Sequence, residues 1–164
     1  MGYYNAVLLP DVAFRDRIVD YAQDKYSDIS DGYCLSHNVY PHITLCQFEA
    51  DEQPMIFIEE LFNPVFTEAS IREGKGSHVG FSWIEWVVKK DNWLVKLQET
   101  VRGALESEGI NVEAAKGSHY YPHMTFCRTP KEKAGNIPLA MIEQSDKPWI
   151  FTVGCSDKNG QFLG

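Results

Sequence analysis

The pattern Tyr-Pro-His-x-Thr-x-Cys occurs twice, at Tyr40–Cys46 and Tyr121–Cys127, with its histidines 81 residues apart in a chain of 164. A repeat at half the chain length predicts two related halves within one domain, 1–164, not a short-period solenoid. The match reaches back to Ser36 in SHNVYPHITLC and to Ser118 in SHYYPHMTFC. A weaker echo, Lys75–His78 against Lys116–His119, falls at another offset and reads as similar turn chemistry. Side chains alternate on a strand, so His42, Thr44 and Cys46 are expected on one face with Ile43 and Leu45 opposite. His123, Thr125 and Cys127 are likewise set against Met124 and Phe126. Burying each apolar face would push both His–Thr pairs into a shared cleft.

The segments around the motifs predict a mixture of strands and helices. Tyr3 to Leu9 reads as a strand ended by Pro10, and Asp11 as the cap of a helix carrying Val12, Ile18, Val19 and Tyr21. Tyr40 to Phe48 is the first motif strand, and Pro54 and Pro64 bracket a helix over Met55 to Phe62. Val65 to Arg72 and His78 to Val88 form a hairpin around Gly74, Lys75 and Gly76. Asn92 to Glu108 is a helix with Leu94, Leu97, Val101 and Leu105 on one stripe and Gly109 as its stop. Tyr120 to Cys127 is the second motif strand. A loop over Thr129 to Pro138, a strand from Trp149 to Cys155, a turn at Asp157–Gly160 and a short last strand complete the chain. The order β-α-β-α-β-β-α-β-β-β lacks regular βα alternation, so an α+β domain with mixed or antiparallel sheets is expected.

Composition narrows the class of partner. The chain is 44% apolar and 23% charged, with no apolar run long enough to span a bilayer. Its start meets Asp11 before any signal-like stretch, which predicts a cytoplasmic protein. The four cysteines form no CxxC pair, so reduced thiols are expected over disulfides or a zinc site. Fifteen basic against 23 acidic residues leave a formal charge of −8. That balance argues against binding to long nucleic acid, which needs a dense basic surface. A small anion in a local pocket remains compatible with it.

Two imidazoles and two hydroxyls facing one cleft suit phosphodiester cleavage. That reaction needs a base for the attacking oxygen, an acid for the leaving oxygen, and donors for the non-bridging oxygens. Histidine serves as base and acid near neutrality, and threonine hydroxyls are short rotatable donors. The scheme requires no metal and no cofactor, and neither motif carries an acidic residue between its histidine and cysteine.

These motifs resemble the signature of the 2H phosphoesterase superfamily, two H-x-T/S motifs on duplicated halves, matched here by His42, Thr44, His123 and Thr125. The ending FTVGCSDKNGQF also looks like the family's last strand and hairpin. The resemblance implies a bilobal α+β fold with two mainly antiparallel sheets around a central cleft and helices outside. It implies metal-independent cleavage of a 2′,3′-cyclic phosphate, a 2′–5′ linkage or a related nucleotide or RNA-end phosphodiester. A phosphodiesterase acting on cyclic oligonucleotide signals and a non-catalytic nucleotide-binding module are the alternatives. A monomer with a small substrate and no membrane is expected.

Other residues are secondary candidates. Tyr40 and Tyr121 could stack on a base or ribose. His37 and His119 read as loop histidines, His78 is left unassigned, and Cys46 and Cys127 read as small apolar filler rather than nucleophiles. Trp83 and Trp86 fall on opposite strand faces, so one is core and the other a candidate cleft wall. Lys75, Lys116 and Arg128 are candidate phosphate contacts.

Overall fold

The computed structural model describes residues 1–113, 119–137, 139 and 142–164; Lys116, Ser118 and Pro138 lie outside the described residues. Among the described residues, seven strands and two longer helices follow one another as β1 (Gly2–Leu9), α1 (Val12–Tyr26), β2 (Ile43–Ala50), β3 (Leu61–Phe62), β4 (Phe66–Glu73), β5 (Phe81–Val88), α2 (Asn92–Ser107), β6 (His123–Pro130) and β7 (Trp149–Cys155). The strands form two antiparallel sheets, one ordered β2-β1-β7-β3 and the other β4-β5-β6. This is an α+β architecture. None of its helices is long and apolar enough to cross a membrane among the described residues.

Local chemistry sets the helices. Asp11 accepts from the amides of Ala13 and Phe14 at 3.1 and 3.2 Å, satisfying donors that the first turn leaves orphaned. Asp11→Ala is expected to cost about 1 kcal/mol of stability, read as a lower urea midpoint at unchanged slope. Buried Leu94, Leu97, Val101 and Leu105 line the inner stripe of α2, which stops at Ser107 before Gly109 at φ 80°. Each helix lies against the motif strand of the other half: α1 against β6 and α2 against β2. Phe126 takes the rings of Tyr21 and Tyr26 from α1 on one side and Trp86 on another.

Both motif strands are bulged at the same place. Across β1 and β2, Val7 faces Thr44 and Ala6 faces Cys46, leaving Leu45 as an extra residue. Across β5 and β6, Glu85 faces Thr125 and Ile84 faces Cys127, leaving Phe126 extra. A bulge breaks the two-residue alternation. The expectation that Cys46 and Cys127 share the histidine face is therefore corrected: both thiols turn inward, donating to the carbonyls of Gln98 and Tyr26 at 3.9 and 3.7 Å. Gln47 takes the cleft side after Thr44 in place of Cys46.

The helix expected over Met55 to Phe62 is also corrected. That stretch is not helical but irregular and leads into β3, with Ile56 and Ile58 half-buried against the core while Met55 and Phe57 stand out, the latter 84% exposed. Inward isoleucines two residues apart are the period of extended chain, and the β-branched pair suits it. The loop after β6 contains a 3-10 helix at Lys131–Asn136. The expected last strand is reduced to one bridge, Ser156 to Phe162, which seats Phe162 in the core beside His42 at a ring distance of 5.7 Å.

Candidate active site

The prolines stop each motif from joining its strand too early. β2 begins at Ile43 and β6 at His123, and the tyrosine carbonyl two residues before each histidine turns back onto the ring. His42 Nδ1 lies 2.7 Å from the Tyr40 carbonyl and His123 Nδ1 lies 2.8 Å from that of Tyr121. A carbonyl only accepts, so each Nδ1 carries the hydrogen and each neutral ring keeps its Nε2 lone pair for chemistry. Tyr120 ties the motifs together, its hydroxyl donating to the Thr44 carbonyl at 2.8 Å.

His42, Thr44, His123 and Thr125 line one cavity of about 210 Å³. Gln47, Arg72, Tyr33 and Trp83 complete its walls, and Asn159 and Gly160 close one side. Gly160 adopts φ 81°, which favours glycine, and its carbonyl is held by the Asn5 side chain at 3.0 Å. A larger groove of about 940 Å³, between residues 57–63 and α2, contains no motif residue. The polar chemistry is therefore in the smaller cavity.

The two histidines differ in electrostatics. His42 is 6% exposed, and burial, reinforced by repulsion from His123, pushes its pKa down to about 4 against hydrogen bonding to the backbone of Tyr40 and Gly160. His123 is also lowered by burial, but the Glu85 carboxylate pulls it back up from 3.8 Å. That distance is beyond a hydrogen bond, so Glu85 favours the charged ring without occupying its Nε2. Glu85 itself is 0% exposed, and it accepts from Arg72 Nε at 3.1 and 3.2 Å and from the Tyr121 hydroxyl at 2.7 Å.

Burying His42 neutral has a stability consequence. Its pKa is 6.5 when unfolded and about 4 when folded, so between those values the unfolded chain binds more protons. Stability contributed by the neutral ring is complete above pH 6.5 and lost as pH falls toward 4, by about 3 kcal/mol. Urea midpoints at pH 7 and pH 4.5 check this: His42→Asn is expected to lose distinctly less stability over the interval than the parent protein.

Neither candidate tyrosine ring lines the cavity. Tyr121 stacks on His123 at 5.1 Å, and Tyr40 packs toward Phe162 beneath the guanidinium of Arg15, 4.8 Å from its ring. Trp86 is core, against Phe66 and Phe126, whereas Trp83 walls the cavity and meets Tyr33 edge-on at 5.3 Å. Arg128 is held by Asp31 at 2.8 and 2.9 Å and lies over Trp83 and Phe81, with His78 3.4 Å away. His37, His119 and Lys75 are exposed outside the cavity.

Glu85, Arg72, Gln47 and Tyr33 were absent from the sequence-based candidates. A glutamate inside the apolar run FSWIEWVV was the one visible signal, because a carboxylate on a central strand needs a partner. Among the described residues no group of three or more His, Cys, Asp and Glu is placed to hold a metal ion. No family model, no curated protein and no solved structure matches the chain. The arrangement itself offers a neutral imidazole, a carboxylate-supported imidazole and two hydroxyls around a cavity of about 210 Å³.

Proposed function

We propose that this protein is a metal-independent phosphodiesterase of the 2H type, cleaving a small nucleotide or RNA-end phosphodiester such as a 2′,3′-cyclic phosphate or a 2′–5′ linkage. The observation that carries the reading is the convergence of both H-x-T motifs on one cavity, with both rings anchored identically through Nδ1. The matched bulges after Thr44 and Thr125 support a duplicated, bilobal fold. The same reading takes residues 1–164 as one domain, acting as a cytoplasmic monomer on a short ligand.

In this mechanism His42, neutral at working pH, is the general base: its Nε2 takes the proton from the attacking water or ribose hydroxyl. His123 is the general acid and passes its Nε2 proton to the leaving oxygen, its charge supported by Glu85. Thr44 and Thr125 donate to the non-bridging oxygens, where charge builds as the new P–O bond forms. Repulsion between the rings favours one charged histidine over two, which is the state the reaction requires.

The test is incubation of the protein with 2′,3′-cyclic nucleotides, 2′–5′ dinucleotides and cyclic oligonucleotides, all in EDTA. Product from either of the first two classes supports the reading. Turnover of cyclic oligonucleotides alone moves the substrate to that class. Binding without product makes the protein a nucleotide-binding module, and activity lost in EDTA and restored by a divalent cation makes it a metal enzyme.

A further inference from the structure

We propose that Cys34 and Cys127 form a site of reversible oxidative cross-linking, closing a disulfide that staples residues 31–35 to the edge of the second motif strand. The inference is independent of what the cleft acts on. Residues 31–35 run antiparallel to β6 through three backbone bonds: Asp31 N–H to Arg128 O at 3.1 Å, Arg128 N–H to Tyr33 O at 2.8 Å, and Leu35 N–H to Phe126 O at 2.9 Å. The last two flank the Cys34–Cys127 bridge instead of joining its members. That makes it a non-hydrogen-bonded antiparallel pair, in which Cα atoms lie about 4.5 Å apart and side chains approach most closely. A disulfide needs a Cα separation of about 4.4–6.8 Å, so the existing backbone already suits it.

The sulfurs also lie on the same side. Cys34 Sγ lies 3.6 Å from the carbonyl of Ala22 and Cys127 Sγ 3.7 Å from that of Tyr26, two carbonyls one turn apart on α1, with the Arg128 carbonyl a nearer acceptor for Cys127 at 3.2 Å. Interaction with the neighbouring Cys127 thiol holds Cys34 below the ordinary thiol range, and interaction with Cys34 together with burial drives Cys127 up. Cys34 is half-buried and Cys127 buried, so reagent reaches Cys34 first. The other cysteines lack such a partner: Cys46 faces Ala6 and Cys155 faces Tyr4 in their ladders.

With hydrogen peroxide as oxidant, the Cys34 thiolate attacks one peroxide oxygen, the S–O bond forms, the O–O bond breaks and hydroxide leaves. Cys127 sulfur then attacks the sulfenic sulfur; the S–S bond forms, the S–O bond breaks, and water departs with the Cys127 proton. Two electrons pass from the thiols to peroxide, and a dithiol reductant reverses the change. The cross-link would fix the segment carrying Tyr33, a cavity wall, and Asp31, the anchor of Arg128.

The experiment treats the folded full chain with a slight excess of hydrogen peroxide and measures intact mass, disulfide-mapped peptides and melting temperature. The expected result is a loss of about 2 Da in the monomer, a Cys34–Cys127 peptide, and a rise of about 5–10 °C in Tm, all reversed by dithiothreitol. Cys34→Ser should abolish all three, while Cys155→Ser should abolish none. Folded protein that accumulates oxygen on Cys34 without the Cys34–Cys127 peptide, or that cross-links only between molecules, overturns the proposal.

Discussion

Alanine at either His42 or His123 is expected to lower kcat by about two to four powers of ten while changing KM far less. Each imidazole is anchored by a carbonyl of its own segment, so removing one ring leaves the other motif and both threonines in place. The two losses should be distinguishable by pH. On the proposed mechanism, kcat/KM of the parent protein requires His42 unprotonated and His123 protonated, giving a bell. Its acid limb follows His42, at about 4, and its basic limb follows His123, below the ordinary 6.5. His42→Ala should flatten the acid limb and His123→Ala the basic one. Limbs lost in the opposite order would exchange the roles, and full activity in both variants would sink the mechanism.

The site was legible where chemistry follows residue spacing and obscure where it follows register. Two copies of one motif on strands are enough to bring His42, Thr44, His123 and Thr125 together, because alternation puts His and Thr on one face and the apolar partners hold it inward. The helices were equally readable, α1 from Asp11 and α2 from its leucine stripe. ITLC and MTFC both read as unbroken alternation, and nothing local in them marks Leu45 or Phe126 as an inserted residue. The bulges depend on the neighbouring strands β1 and β5, so the inward cysteines and the cleft-facing Gln47 were hidden. Arg72 and Glu85 meet only once β4 and β5 pair, which needs the register of that hairpin. The stretch over Met55 to Phe62 failed for another reason: flanking prolines mark boundaries, but the spacing of Ile56 and Ile58 decides what lies between them.

Removing Arg72 is expected to destabilise the fold by about 3 kcal/mol, the lower end for breaking a buried ion pair. Glu85 is wholly buried, whereas the Arg72 side chain is 38% exposed, so water screens one end of the pair and reduces its strength. In Arg72→Met the carboxylate keeps the Tyr121 hydroxyl but loses both guanidinium contacts, leaving a charge in a site that cannot hydrate it. The combination Arg72→Met with Glu85→Gln should recover most of the loss, because the amide still accepts from Tyr121 and carries no charge. Urea unfolding of the two single variants and the pair gives the coupling, and additive losses would show that Arg72 acts by packing over Tyr121 alone. Glu85→Gln alone has a kinetic signature as well. The carboxylate raises the pKa of His123, so its removal should shift the basic limb of kcat/KM to lower pH while the acid limb stays near that of the parent protein. A basic limb that does not move would separate Glu85 from the proton on His123 and leave it a purely structural partner of Arg72.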